Sequence, residues 1–259
     1  MCLILFAYDS HPQYQLVVAA NRDEFYTRPT LPAAFWSDHP DILAGKDLQE
    51  GGTWMGISTT GRWAGLTNYR DPSSYKPQSP SRGHLVQNYL CSNDTPQSYI
   101  EHLDNGGAVY NGCNLLLGNH ESLAYYSNRE KLIRKVEKGV HGLSNSLLDV
   151  PWPKVTGGKK DLTDVLQNEN IKVDRLFAIM ADRKEAPDQD LPQTGVSLEM
   201  EKMLAPAYVL SQDYGTRTTT VILIDRKRRV QFWERSFVPR QPDRWDEVHY
   251  EFQIKLSTV

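Results

Sequence analysis

Cys2 opens an apolar run, Leu3 to Ala7, and a second apolar run, Leu16 to Ala20, ends in Asn21-Arg22-Asp23-Glu24. A cysteine at position 2 has an option that an internal cysteine lacks. Removal of Met1 leaves one residue with both a thiol and a free α-amine, whose ordinary pKa of about 8 suits it as base for its own side chain. Such a nucleophile needs an acid to hold the amine, donors for a developing oxyanion, and a cation. Asp23 is the candidate acid. Asn68 and Asn145, each beyond a probable strand, are candidate oxyanion donors, a role worth roughly 3–4 kcal/mol per donor in known cases. Arg217 or Arg22 can lower the thiol pKa or bind a substrate carboxylate. Asn21 and Arg22, with Tyr69 and Arg70 after Asn68, are candidate substrate-binding residues. The plainer reading of Asn21 to Glu24 is a solvated strand end with a salt bridge.

The elements that must position these groups follow from the pattern of the chain. The polar elbow from Asp9 to Gln13 joins the two apolar runs as a hairpin. Tyr26 to Asp41, with Pro29, Pro32 and Pro40, predicts an ordered loop. Gly51 to Ser58 and Arg62 to Asn68 read as a pair of strands about the turn Thr59-Thr60-Gly61. After a Pro/Ser loop from Pro72 to Ser81, Leu85, Val86, Tyr89 and Leu90 recur at helical spacing. Thr95 and Pro96 read as the cap and first position of a further helix, ended by Asn105-Gly106-Gly107. Strands follow over 114–118, 123–126 and 132–136, and again before Ser144-Asn145. Pro151 to Lys154 reads as a rigid link, 159–168 and 173–183 as helices, and 182–194 as a surface loop. The β-branched run Arg217 to Ile224, the turn Arg226-Lys227-Arg228-Arg229 and the strand Val230 to Glu234 form a hairpin. The alternation of Val248, Tyr250, Phe252 and Ile254 closes the chain with one more strand. Strands, helices, strands, helices, strands: this order predicts an α+β fold with sheet on sheet inside and helices outside.

Composition narrows the classes. At 259 residues, 39% apolar and 24% charged, the chain reads as a single globular domain over 1–259. A net charge of −3 supplies no basic face for nucleic acid. Cys2, Cys91 and Cys113 make no CxxC pair, which points to a reduced, cytoplasmic setting. The run Leu3 to Ala7 is too short for a signal segment, and no run approaches the ~18 apolar residues of a membrane span.

Five separated stretches carry a resemblance. Cys2 with Asn21-Arg22-Asp23-Glu24, then Gly51-Gly52-Thr53-Trp54-Met55-Gly56, Gly65-Leu66-Thr67-Asn68-Tyr69-Arg70, Gly142-Leu143-Ser144-Asn145 and Tyr214-Gly215-Thr216-Arg217-Thr218-Thr219 resemble the NRDE family in order. That family is also called transport and Golgi organisation two. The resemblance implies a four-layer αββα sandwich of antiparallel sheets, as in N-terminal-nucleophile hydrolases, with penicillin V acylases and bile salt hydrolases as relatives by motif. From them it implies Cys2 as nucleophile, Asp23 as partner of the α-amine, Asn68 and Asn145 as oxyanion and positioning groups, and Arg217 as a charge near the thiol. One departure leaves the role of Arg22 open: the acylases carry an arginine ahead of their Asn-x-Asp element, whereas here Arg22 lies inside it. Family resemblance also implies intracellular haem trafficking, with haem as cargo and no metal needed for hydrolase chemistry. No CxxCH motif or helical His pair supports haem independently; His11, His84, His102, His120, His141 and Cys2 are the candidate axial ligands. Two expectations follow: a haem-binding trafficking protein, or a cysteine amidohydrolase acting on a small amide or acyl substrate.

Overall fold

Two antiparallel sheets face each other in the computed structural model, which describes residues 2–106 and 109–255. The elements in chain order are β1 (Cys2–Tyr8), β2 (Tyr14–Phe25), β3 (Thr30–Phe35), β4 (Ile42–Asp47), β5 (Met55–Ser58), β6 (Trp63–Asn68), α1 (Gly83–Cys91), α2 (Pro96–Asn105), β7 (Cys113–Gly118), β8 (Leu123–Ser127), β9 (Leu132–Lys135), β10 (Gly139–Leu143), α3 (Pro153–Leu166), α4 (Val173–Met180), α5 (Leu198–Leu204), β11 (Tyr214–Asp225), β12 (Arg229–Val238) and β13 (Gln241–Gln253). One sheet runs β10-β1-β2-β11-β12-β13 and the other β3-β4-β5-β6-β7-β8-β9.

The period-2 alternation of a strand sorts side chains between layers. In β1 and β2, Ile4, Phe6, Val18 and Ala20 point into the core between the sheets, beside Trp63, Ile222 and Phe232. Their neighbours Leu3, Leu5, Val17 and Ala19 point outward under α3 and α4, with Val155, Leu162 and Phe177. Burial on both faces explains why these strands read as continuous apolar runs. On the other sheet, α1 and α2 cover Leu115 and Leu117 with Leu85, Tyr89 and Ile100. The layers are therefore helix, sheet, sheet, helix, the expected αββα sandwich.

Local signals behave as expected at several joints. The Thr95 hydroxyl accepts from the Ser98 N–H at 3.1 Å and caps α2. That helix ends at Asn105, and Gly107 lies outside the described residues. The basic run is the turn between β11 and β12, with Arg228 at φ 65°.

Two expectations are corrected, and one helix is added. The proline-rich stretch contains strand β3, which pairs only with β4; an edge strand bonds on one side, so Pro32 is tolerated. The supposed rigid link opens α3, with Pro153 in the first turn where its missing N–H costs nothing. Gly158 permits that helix to lie against β1, since a Cβ there would stand 2.5 Å from Leu5 Cδ1. The added helix is α5, which carries no long apolar period. Its start is fixed by the Ser197 hydroxyl accepting from the Met200 N–H at 3.3 Å.

Candidate active site

Where β1 and β2 reach the same edge of the sandwich, Cys2 pairs with Arg22 across the ladder. Cys2 shares the inward face with Ile4 and Phe6, and Arg22 shares it with Ala20 and Val18, so both side chains enter the gap between the sheets. There they line a cleft of about 320 Å³ with Glu24, Trp54, Asn68 and Arg82 among its walls. Its size is at the small end for ligand sites. Burial raises the Cys2 thiol above its ordinary 9.0 and the charge of Asp23 pushes the same way, while Arg22 and a backbone hydrogen bond from Asp23 pull it down.

Arg22 stacks its guanidinium on Trp54, 4.3 Å from the ring centre. Its Nη2 stands 3.7 Å from Glu24 and 3.6 Å from Asp47. Asp47 also takes a 2.7 Å bond from Arg28 Nε, and Glu24 lies 3.9 Å from the same atom. The expected salt bridge at this strand end is real, but it is a four-membered group, and Arg22 within it is only 5% exposed.

Asp23 points to the opposite face, toward the helices. Thr216 Oγ1 donates to its Oδ1 at 2.7 Å. Burial raises its carboxyl above the usual range, offset in part by Lys154, Thr216 and Arg70. Lys154 was not legible as a site residue. It is buried at the start of α3, donates to the Leu204 carbonyl at 2.8 Å, and burial lowers its ammonium to about 8 against the pull of Asp23. No sequence signal marks it, since a lysine after Pro153 reads as solvated.

Asn145 Nδ2 donates to the Asn68 carbonyl at 2.8 Å, and its Oδ1 accepts from Ser144 Oγ at 3.4 Å. Ser144 Oγ in turn reaches the Cys2 carbonyl at 3.3 Å. The two asparagines are thus brought together beside Cys2, with Asn68 on the cleft and Asn145 holding the strand end by its backbone carbonyl.

Four assignments are corrected. Arg217 is not the charge near the thiol. A register shift between Thr216 and Thr218 makes it a bulge residue and turns its side chain away. Its Nη1 donates to the carbonyls of Phe25 and Arg28, both at 3.0 Å, and to that of Tyr26 at 3.3 Å. Asn21 does not line the cleft: its Nδ2 holds the Met180 and Ala207 carbonyls at 2.7 and 2.9 Å, and its Oδ1 accepts from Thr219. Tyr69 lies outside the cleft, with Arg129 5.7 Å from its ring. Arg70 lies behind it, bonded to Glu201 Oε2 at 2.5 Å and stacked on Trp152 at 4.8 Å. Asn21 is turned by the period of its strand and Arg217 by a bulge, while Tyr69 and Arg70 lie beyond the end of β6.

None of His11, His84, His102, His120 and His141 lines the cleft. His11 bonds the Asn168 carbonyl, and His141 lies between Asp149 and the Glu137 carbonyl. Among the described residues, no group of three or more His, Cys, Asp or Glu is placed to hold a metal ion, and no helix is long and apolar enough to cross a membrane.

Comparison with known proteins agrees with this architecture. The chain aligns end to end with the mutant C2A conjugated bile acid hydrolase from Clostridium perfringens, covering 100% of this chain and 99% of that one at TM-score 0.55 and 10% identity. It also matches the Caenorhabditis elegans N-acylethanolamine-hydrolyzing acid amidase ortholog, with 86% and 92% covered, TM-score 0.51 and 10% identity. Such low identity speaks for the fold, that of N-terminal-nucleophile hydrolases. In sequence it is 36% identical to the Mus musculus Transport and Golgi organization 2 homolog over 278 residues, covering 98% of this chain and 100% of that one. The Drosophila melanogaster Transport and Golgi organization protein 2 is 28% identical over 97% of this chain and 98% of its own. Residues 1–239 match the Transport and Golgi organisation 2 family, and the chain belongs to it.

Proposed function

We propose that this protein is an N-terminal-cysteine amidohydrolase. The observation that carries the reading is the placement of Cys2 beside Arg22 and Asn68 in a polar cleft, with Asp23 one residue on along the paired strand. The fold neighbours, described as a hydrolase and an acid amidase, support the same class.

The steps follow from the groups present. Once Met1 is removed, the α-amine of Cys2 takes the thiol proton, a transfer the raised thiol pKa makes necessary. The sulfur attacks the amide carbonyl carbon, and Asn68 donates to the oxyanion. The C–N bond breaks as the amine returns the proton to the leaving nitrogen. Water then cleaves the thioester, releasing a carboxylic acid and restoring the thiol. Asp23 holds the protonated amine from the helix side, and Asn145 positions Asn68. With Cys2, Cys91 and Cys113 all unpaired, a reducing, cytoplasmic setting suits a free thiol nucleophile.

Haem carriage, the other expectation, draws no comparable support. The cleft walls are largely polar, and Cys2 is the one candidate axial ligand that lines them.

The test is the intact mass of tag-free protein, followed by turnover of small amides by wild type and Cys2→Ala. A mass lacking one methionine, with turnover lost by roughly three orders of magnitude or more in a folded Cys2→Ala, is expected. Retention of Met1, or undiminished turnover by the variant, overturns the reading.

A further inference from the structure

The charges of the cleft do not cancel evenly. Arg22 and Arg28 close with Glu24 and Asp47 into the group described above, at separations of 2.7 to 3.9 Å. The remaining basic side chain on the cleft wall is Arg82, which stands at the head of α1. Its Nη1 donates to the Gly112 carbonyl at 3.0 Å, and among the described residues it forms no ion pair. It is half-buried, and lost hydration disfavours its charge, with Cys2 and Glu24 among the groups that favour it. A guanidinium held partly out of water with no carboxylate partner has unspent capacity for a bidentate anion.

Two further features aim at the same space. The backbone at the head of α1 is packed against Gly52: a Cβ on Gly52 would stand 2.5 Å from the Gly83 carbonyl carbon. That contact holds Arg82 and the first turn of a nine-residue helix at the cleft. Independently, Arg22 is 5% exposed and its buried Nη1 has no hydrogen-bond partner among the described residues. One polar cleft thus holds an arginine lacking a counter-ion and a buried arginine with an unmet donor.

We propose that the cleft wall at the head of α1 is an anion subsite centred on Arg82, so that the substrate is an amide bearing a carboxylate, sulfonate or phosphate. This deepens the hydrolase reading and rests on it for the word amide, but the subsite itself is a binding claim. The exposed side chain of Tyr75 lines the same cleft and offers its ring to an apolar portion of that substrate.

Calorimetric titration of the folded Cys2→Ala protein separates binding from turnover. The probes are N-octanoylglycine and N-octanoylethanolamine, which share an acyl chain and differ in a carboxylate. The glycine conjugate is expected to bind about tenfold tighter or more at low salt, with the preference shrinking as salt is added. Arg82→Gln in the same background should remove the preference, and Arg82→Lys should restore part of it by returning the charge. Equal affinity for the two probes, no binding of the glycine conjugate by millimolar concentration, or a preference surviving in Arg82→Gln overturns the subsite. Arg82-dependent binding of a conjugate that wild type never cleaves keeps the subsite and removes the hydrolase. Cleavage with no carboxylate preference does the reverse.

Discussion

Arg217 shows how a single residue can be placed by one extra position in a strand. The bulge between Thr216 and Thr218 swings its guanidinium onto the carbonyls of Phe25, Tyr26 and Arg28, the turn that follows Asn21 to Glu24. It therefore supports the strand end carrying Glu24 and Arg28 instead of touching the thiol. Replacing it leaves three carbonyls without their charged donor, and hydrogen bonds to charged groups are worth about 1.5–3 kcal/mol. Because the site is partly open to water, which can refill some of those bonds, Arg217→Ala is expected to lose about 1–2 kcal/mol in urea unfolding. An unchanged midpoint and slope would show that the clamp does not contribute. The residue types around Cys2 were readable in the sequence, but the direction of Arg217 was not, since a bulge changes parity without leaving a mark in composition.

Among the elements, α3 does the most to seat the site. It enters at Pro153, lays Val155 and Leu162 on Leu5, and carries Lys154 in behind Asp23. Close approach at Gly158 makes this possible. In isolation, alanine would be the better helix former by about 1 kcal/mol. Here the added methyl meets Leu5 at 2.5 Å, with β1 fixed between two ladders. Gly158→Ala is expected to destabilise by about 1–3 kcal/mol, the usual cost of overpacking, when measured by thermal or denaturant unfolding. A variant more stable than wild type would mean that α3 shifts outward without penalty. Strands buried on both faces were legible as apolar runs, and α2 was legible through its cap. The start of α3 was hidden, because Pro151 to Lys154 read locally as a link and only contact with β1 shows the helix beginning there.

At the scale of the molecule, the two sheets are joined by more than apolar contact. Glu234 of β12 is buried between them, accepting from the Ala33 N–H of β3 at 2.7 Å and from Thr220 Oγ1 at 3.2 Å. Burial raises its carboxyl from 4.5 to about 7, against the pull of those two bonds and of Arg22. The folded state thus binds the proton more tightly than the unfolded chain. Stability from this group is present below about pH 4.5 and is lost as pH rises through about 7, a swing of roughly 3 kcal/mol at most. Glu234→Gln keeps the size and an acceptor for Ala33 but cannot ionise. Denaturation at pH 5 and pH 8 should show a smaller fall for the variant than for wild type. Identical pH dependence would remove Glu234 from the account.

What the sequence determined by itself is most of the elements and the chemistry on offer. Apolar runs fix the inner strands, Thr95-Pro96 fixes a helix start, and Cys2 with Asn21 to Glu24 offers a thiol beside polar and charged groups. These depend on neighbours along the chain. The tertiary structure decided which of the polar residues share a cleft. Cys2, Arg22, Asn68 and Arg82 meet there, while Asn21, Arg70 and Arg217 hold other parts of the frame, and Lys154 arrives from a helix more than a hundred residues away. Parity along a strand, one bulge and the approach of α3 over a glycine make those choices, and each is settled by contacts with distant residues that no local pattern encodes.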